Sequence, residues 1–226
     1  MTAGTRSSPA GTAPGAAAYR PAGAALRLVR LHLVSRRVPA ALSLLAAFGA
    51  LLGTALHDHW TVAGGAAGQL LAPLTIETGA AAVIAVSTHG PFGEPERATG
   101  RWLPWLRLGT ALALCAVAFG LLAAGATAGV LPGGTLALLR NLAGTAGLGL
   151  LSATALGGAF GWIGPMAYLL ATEAALNTHP TTPWVWAART PHDHGAALCA
   201  SLVLAAGTTA ITLLGARDTR HEPPPQ

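Results

Sequence analysis

The sequence contains no lysine, so all thirteen of its basic residues are arginine. Only 9% of its residues are charged, whereas a soluble domain carries roughly a quarter. This shortage excludes an ordinary soluble fold, and the missing lysine excludes a GxxxxGK(S/T) phosphate-binding loop. The two cysteines, Cys115 and Cys199, both lie within apolar stretches, which gives no sign of a disulfide framework or a CxxC metal site.

Six apolar stretches make up most of the chain. Most of them approach the ~20 residues that a helix needs to cross a ~30 Å hydrocarbon core. Because a spanning segment must satisfy its backbone hydrogen bonds internally, these stretches are helices and not open strands. The sequence therefore predicts an all-α polytopic membrane protein whose six-helix transmembrane domain covers residues 39–216. The six stretches are 39–57, 64–86, 107–130, 136–157, 160–177 and 195–216.

The arginines indicate how these helices are oriented. They cluster before the first stretch, between the second and the third, and after the last. Because positively charged loops remain on the cytoplasmic side, both termini are predicted to be cytoplasmic and the number of spans to be even. The protein is accordingly expected in the cell (plasma) membrane. The net charge of +5 reflects this asymmetry, so no nucleic-acid partner is expected.

The segments before and after the spans are two tails and a basic flank. Residues 1–23 are rich in small residues and proline and lack an apolar run, so we expect a disordered cytoplasmic tail and no signal peptide. Residues 217–226 are expected to form a second cytoplasmic tail. Residues 24–38 mix arginine with leucine and valine, which favours a helix in the headgroup layer. The alternative is a plain positively charged flank of the first span.

The loop of residues 87–106 contains a short charged segment. Pro95 suits the first turn of a helix, where its missing N–H costs nothing. Acidic residues would lie at the start of that helix and basic residues toward its end, as the helix dipole favours. So short a helix is not stable alone, which suggests a docking element; the alternative is an ordinary loop with interfacial tryptophans. The residues concerned are Glu94, Glu96, Arg97, Arg101 and Trp102.

Three acidic or basic side chains lie away from the ends of the predicted spans, where a charge is costly and by default marks function or the protein interior. Glu77 lies near the middle of the second span, with no basic residue at its depth in that span. Arg140 and Glu173 lie toward the outer ends of the fourth and fifth spans, so an antiparallel hairpin would bring them to similar depth. One interpretation is a structural ion pair between them, and the other is a polar substrate or coupling site.

Two His-Asp-His triplets lie on the predicted external side. Imidazole and carboxylate groups could bind Zn²⁺ or Cu²⁺. Positions i and i+2 do not share a face of a helix, so each triplet would have to be extended to bind a metal. We therefore expect neither a metal nor another cofactor. The histidines are His57, His59, His192 and His194.

Small residues recur at four-residue spacing within the spans. Such stripes let helix backbones approach closely in lipid, and they predict tight packing, not a specific dimer motif. The sets are Gly64/Gly68, Ala116/Gly120, Gly125/Gly129 and Ala153/Gly157/Gly161.

Taken in order, these elements resemble the membrane (permease) subunit of a type-2 ABC exporter. The phrases PFGEPERATGRWLPWLRL and TPWVWAARTPHDHGAAL are also similar to those of ABC permeases from high-GC bacteria. The resemblance implies that residues 24–38 are the elbow helix and that Glu94–Trp102 is the coupling helix that docks on an ATPase. It also implies that residues 181–194 form an external re-entrant segment. The chain is small for this family and has short external loops, unlike the macrolide-type exporters.

The resemblance implies a permease subunit that forms the substrate path together with a second permease subunit, in a homodimer or a heterodimer. ATP hydrolysis would belong to a separate ATPase subunit, so this chain is not expected to be an enzyme. One alternative is a non-transporting membrane partner or immunity-type subunit. An intramembrane hydrolase is the other, but the spans lack the HExxH or paired Glu and His motifs that such an enzyme would need.

Overall fold

The computed structural model describes residues 38–58, 66–88, 103–176 and 184–215. Over these ranges the chain is all-helical, with six α-helices, two 3-10 turns and no strand. The 3-10 turns are Gly158–Phe160 and Trp186–Ala188. The helices are α1 (Val38–His57), α2 (Ala66–Ser87), α3 (Leu103–Ala126), α4 (Gly134–Ala155), α5 (Ile163–Leu176) and α6 (His194–Leu213).

Five of the helices, α1, α2, α3, α4 and α6, are long and apolar enough to cross a membrane. This agrees with the prediction of an all-α, multi-pass membrane protein, although the predicted number of spans was six. The predicted span 160–177 forms α5, which has 14 residues. At 1.5 Å per residue it is about 21 Å long, which is short of a ~30 Å core. The helix starts late because Gly157 has a positive φ of 108° and a 3-10 turn follows it.

The described helices alternate in direction. α1 and α3 run parallel, since Gly49 lies against Leu121 while Leu56, further along α1, lies against Gly129. α2 and α4 also run parallel, because Glu77 lies beside Asn141 and, eight residues further along each helix, Ala85 lies beside Gly149. The N-termini of α2 and α4 therefore lie at the same end of the bundle.

α5 brings the chain back to the end of the bundle at which α4 begins. A side chain at Gly164, near the start of α5, would collide with Leu148 and Ser152 in the second half of α4. Thr172, near the end of α5, shares a cavity with Asn141 in the first half of α4. The two helices are thus antiparallel, and α6 starts again from the end where α4 starts.

α4 is the central helix of the bundle. Within its span 67% of the residues are buried, against 28% for α3 and 28% for α6. α4 packs against α2, α5 and α6, so the lipid-facing surface belongs largely to the outer helices. Three polar side chains of α4, those of Arg140, Asn141 and Thr145, are therefore buried inside the protein.

Glycines allow two pairs of helices to approach at backbone distance. A Cβ at Gly125 in α3 would collide with the Gly49 carbonyl of α1, and a Cβ at Gly207 in α6 would lie 2.5 Å from the Gly147 carbonyl of α4. Gly120, by contrast, has no atom within 4 Å of its Cβ position. The four-residue spacing therefore predicted close packing correctly at Gly125 and wrongly at Gly120.

Several predicted elements lie outside the described residues. These are both predicted tails, most of the elbow helix and the whole coupling segment, including Glu94, Glu96, Arg97, Arg101 and Trp102. They stay predictions from sequence.

Candidate functional site

A cavity of about 220 Å³ opens at the end of the bundle where α2 and α4 begin and α5 ends. Its lining is partly apolar, with Leu70, Pro73 and Leu74 from α2, Ala137 of α4 and Leu176 of α5, and the segment before α6 adds Arg189 and Thr190. Pro73 lies inside α2 and lacks an amide hydrogen, so one intrahelical hydrogen bond is missing there. The cavity is thus placed beside an interruption in the hydrogen bonding of α2.

The floor of the cavity is polar and lies deeper in the bundle. It consists of Glu77 from α2, Arg140 and Asn141 from α4, and Thr172 from α5. All four side chains are buried, with exposed fractions of 2%, 5%, 9% and 1% respectively. One acidic, one basic and two neutral polar side chains are thus collected in the interior of an otherwise apolar bundle.

Glu77 is surrounded by groups from α4. The Asn141 amide lies within hydrogen-bonding reach of the Glu77 carboxyl, and the Arg140 guanidinium interacts with it through its charge. The parallel packing of α2 and α4 explains this arrangement, because it brings residues of similar depth on the two helices together. Glu77 therefore has a basic neighbour, although its own span contains none.

Arg140 holds the segment that precedes α6. Its Nη1 donates a 2.7 Å hydrogen bond to the Thr190 carbonyl, and its Nη2 donates a 3.0 Å bond to the Arg189 carbonyl. A guanidinium suits this position because its planar fork presents several donors in fixed directions. Arg140 therefore links the floor of the cavity to the chain that closes one side of it.

Trp186 anchors the segment of residues 184–190 to α4 and α5. It is 3% exposed, and its ring fills the space at Gly144, where a Cβ would lie 2.5 Å from the indole. Tyr168 of α5 stacks on that indole, and its hydroxyl accepts a 3.1 Å hydrogen bond from the Ala187 N–H. Val185 and Trp186 are therefore packed into the bundle, whereas Trp184 and Thr190 at the ends of the segment are exposed.

Asp193 closes the segment and begins α6. Its carboxylate accepts a 3.0 Å hydrogen bond from the Ala196 N–H as the N-cap of the helix, and a 2.8 Å bond from Arg189 Nε. The Ala196 N–H, helped by Arg189, holds the pKa of Asp193 below its ordinary value of 3.8. An N-cap carboxylate is stabilised by the unpaired amides at the start of a helix.

The structure separates the three ionisable residues predicted within the spans. Glu77 and Arg140 both line the cavity, whereas Glu173 is exposed on α5 and is not part of its lining. The predicted pairing of Arg140 with Glu173 stays a prediction; the acids whose charges act on Arg140 in the structure are Asp193 and Glu77. Residues 172 and 173 point in different directions on a helix, and Thr172 is the one that faces α4.

The histidines of the two His-Asp-His triplets do not form a metal site in the described part of the chain. Over those residues no group of three or more His, Cys, Asp or Glu side chains could hold a metal ion. His57 is exposed at the end of α1, and His192 and His194 are exposed on either side of Asp193. His59 lies outside the described residues.

Sequence reasoning missed Asn141, Thr172 and the pair Tyr168 and Trp186. Asn141 carried a signal, because an asparagine next to an arginine is unusual in an apolar span. Thr172 carried none, since threonine in a membrane helix commonly bonds to its own backbone. The burial of Trp186 follows from the path of the segment that precedes α6, which the sequence does not specify.

No family model, curated protein or solved structure matches this chain. Its fold and its cavity are therefore the structural basis for assigning a function.

Proposed function

We propose that the chain is the permease subunit of an ABC transporter in the cell membrane and that it contributes to the path of a substrate. The observation that carries this proposal is the cavity whose floor holds Glu77 and Arg140, both buried, within a bundle of apolar helices. Charged groups inside spans are costly, and they typically mark a substrate or ion pathway. A protein that merely anchored a partner in the bilayer would not need them.

The segment 184–190 gives further support. Trp186 lies against Gly144, ten residues from the start of α4, which is about 15 Å along that helix. Irregular backbone at such depth is tolerated where protein buries it or where it lines a cavity, and both apply here. The resemblance to type-2 ABC exporters predicts an external re-entrant segment in this part of the chain.

The proposed orientation places both termini in the cytoplasm. Although α5 is short, it returns the chain to the end of the bundle at which α4 begins, so α6 ends at the opposite end. A side chain at Gly215, just after α6, would meet the guanidinium of Arg107 near the start of α3. The arginines flanking the spans favour the cytoplasm for that end, so the cavity would face outward.

The chemistry of ATP hydrolysis would come from a partner. The sequence has no phosphate-binding loop, so a separate ATPase subunit is proposed to dock on Glu94–Trp102. A second permease subunit, identical or different, would complete the substrate path. The chain itself is proposed to have no enzymatic activity.

Co-purification with the ATPase encoded nearest to this gene, followed by measurement of ATP turnover in liposomes, tests the proposal. Glu96→Ala combined with Arg97→Ala should reduce both association and turnover, because charges at an interface set partner choice and orientation. The matched control is Arg217→Ala combined with Asp218→Ala, which removes an adjacent pair of opposite charges from the C-terminal segment. The control should retain association.

Membrane insertion of both double variants should remain normal, since the four residues lie outside the predicted spans and surface charges contribute about 0–1 kcal/mol to stability. If the ATPase does not associate with the wild-type chain, or if Glu96 and Arg97 can be replaced without effect on association and turnover, the non-transporting membrane-partner or immunity-type function replaces the transporter.

A further inference from the structure

The floor of the cavity contains both donors and acceptors that have no hydrogen-bond partner. The donors are Arg140 Nε and the Thr172 hydroxyl, and the acceptors are Asn141 Oδ1 and Glu77 Oε2. All four side chains are more than nine-tenths buried, and all four line the same cavity. Because an unpaired buried polar group costs free energy, the floor favours a ligand that brings donors and acceptors together.

The neighbouring groups leave these four atoms unpaired. Two of the three guanidinium nitrogens of Arg140 donate to backbone carbonyls, and Nε alone has no acceptor. The Thr172 hydroxyl lies close to that of Tyr168 but not in hydrogen-bonding geometry. The Asn141 amide reaches the Glu77 carboxyl, which still leaves one oxygen of each side chain without a donor.

The charges of the lining do not select a charged ligand. Two guanidiniums, those of Arg140 and Arg189, line the cavity together with the single carboxyl of Glu77, and Arg189 Nε is bonded to the Asp193 carboxylate at 2.8 Å. A carboxylate ligand has no donor for Asn141 Oδ1, and an ammonium ligand has no acceptor for Arg140 Nε. Either ion would therefore leave buried atoms unpaired.

A primary carboxamide matches the floor in number and in kind. Its NH₂ group has two donors and its carbonyl oxygen has two acceptor sites, against two unpaired acceptors and two unpaired donors in the protein. It fits Glu77 in either protonation state, since an ionised carboxyl accepts from the amide N–H and a protonated one donates to the carbonyl. No net charge has to leave water when such a ligand binds.

The remainder of the lining determines the size and character of the rest of the ligand. Leu70, Leu74 and Leu176 contribute apolar surface. The volume of about 220 Å³ is below the ~300–1,000 Å³ of pockets for drug-sized molecules. The cavity thus suits a small molecule with one polar end and a short hydrocarbon part.

We propose that this cavity binds the carboxamide group of a small uncharged molecule, with the amide N–H groups donating to Glu77 Oε2 and Asn141 Oδ1. The amide carbonyl accepts from Arg140 Nε and the Thr172 hydroxyl, and the leucines of the lining pack against the hydrocarbon part. A site built to hydrogen-bond a ligand rejects analogues that lack the bonding group, because its buried polar atoms are then left unpaired. To call the amide a transported substrate rests on the proposed function, but its binding does not.

Direct binding of radiolabelled benzamide to the purified full-length chain in phosphatidylcholine nanodiscs tests the proposal, with empty nanodiscs as the background. The competitors share its ring: acetophenone and benzoate lack the N–H donors, and benzylammonium lacks the acceptor. We expect saturable binding, with each competitor weaker than unlabelled benzamide by about fivefold or more, as unpaired buried groups imply. If benzamide does not saturate above the background, or if any of the three competes as well as benzamide does, the proposal is wrong.

Variants assign the binding to the cavity. Thr172→Val removes the hydroxyl with little change of shape and should weaken benzamide binding by about fivefold, whereas Thr172→Ser keeps the hydroxyl and should bind nearly as the wild type does. Thr145→Val is the matched control, because Thr145 is buried, bonds to its own helix and does not line the cavity. Equal affinity of the folded Thr172→Val variant would overturn the assignment. If that variant does not fold, the ranking of the four compounds on the wild type still decides.

The binding measurement and the test of the proposed function fail separately. None of the binding measurements involves the ATPase, so a negative result with benzamide leaves the result of co-purification unaffected. Saturable binding of benzamide without association of an ATPase would retain the amide site and remove the transporter.

Discussion

Tyr168 and Trp186 stack with their ring centroids 4.2 Å apart and their planes inclined by 13°. The two residues come from different parts of the chain: Tyr168 belongs to α5, and Trp186 to the segment that precedes α6. The stack therefore joins the shortest helix of the bundle to its least regular segment. Arg140 binds the same segment a few residues further on, so an aromatic contact and a guanidinium together hold it beside the cavity.

Replacement of Trp186 by Ala should destabilise the protein strongly. The change removes a side chain that is 3% exposed and leaves a void beside Gly144, and such truncations cost about 3–5 kcal/mol. Trp184→Ala is the control, because Trp184 is 47% exposed. Thermal unfolding in detergent should show a clear loss for Trp186→Ala and a small one for Trp184→Ala; equal melting temperatures would contradict the packing described.

Gly125→Ala should separate α1 from α3. The added methyl group would collide with the Gly49 carbonyl, which is part of the backbone and cannot rotate away, and overpacking of this kind costs about 1–3 kcal/mol. Gly120→Ala on the same helix meets no atom within 4 Å and should be neutral or slightly stabilising, since alanine favours helix by about 1 kcal/mol. Among the wild type and the two variants, Gly125→Ala should therefore have the lowest unfolding temperature.

Glu77 and Arg140 should show strong coupling in a double-mutant cycle. Arg140→Gln alone leaves the Glu77 carboxyl without its neighbouring positive charge and removes the anchor of the Thr190 carbonyl. Adding Glu77→Gln removes the unpaired acid, so the double variant should be more stable than the sum of the single effects predicts, by about 0.5–3 kcal/mol. Unfolding free energies that simply add would mean that the two side chains do not interact.

Asp193 should make stability depend on pH in the acidic range. Because its pKa is lowered in the folded state, its contribution is fully present above the ordinary value of 3.8 and is lost as the pH falls through the folded value. Asp193→Ala should therefore lower the melting temperature at neutral pH, and the difference from the wild type should shrink below about pH 4. Asp193→Asn, which can still cap α6, should lose less than the alanine variant. A difference that grew on acidification would contradict this sign.

Reporter fusions should place His89 and Gln226 on the cytoplasmic side and Pro183 on the external side. The expectation follows from the arginine-rich flanks and from the return of the chain through α5. An external reporter at Gln226 would mean that α5 does not take the chain across the membrane, and the number of crossings would then be five.

The sequence was sufficient for the class of the fold because long apolar stretches determine it locally. Each of α1, α2, α3, α4 and α6 overlaps a predicted stretch, since a helix in lipid satisfies its own backbone whatever its neighbours are. α5 is shorter than the span of residues 160–177 that composition predicted, because a turn at Gly157 and Gly158 precedes it. The four-residue stripes that contain Gly120 and Gly125 were equally uninformative, because a stripe does not specify which face of α3 packs against α1.

The sequence by itself determined that Glu77 and Arg140 are unusual, because a charge within an apolar stretch is costly wherever the helix is placed. Only the tertiary structure decided that these two residues are neighbours, that Glu173 is excluded from their cavity, and that Asn141 and Thr172 complete its floor. The physical reason is that partners on different helices depend on the direction and depth of helix packing. That packing is set by contacts across the bundle, such as those of the Gly49 backbone with α3 and of the Trp186 ring with Gly144, and not by the residues that happen to be adjacent in the chain.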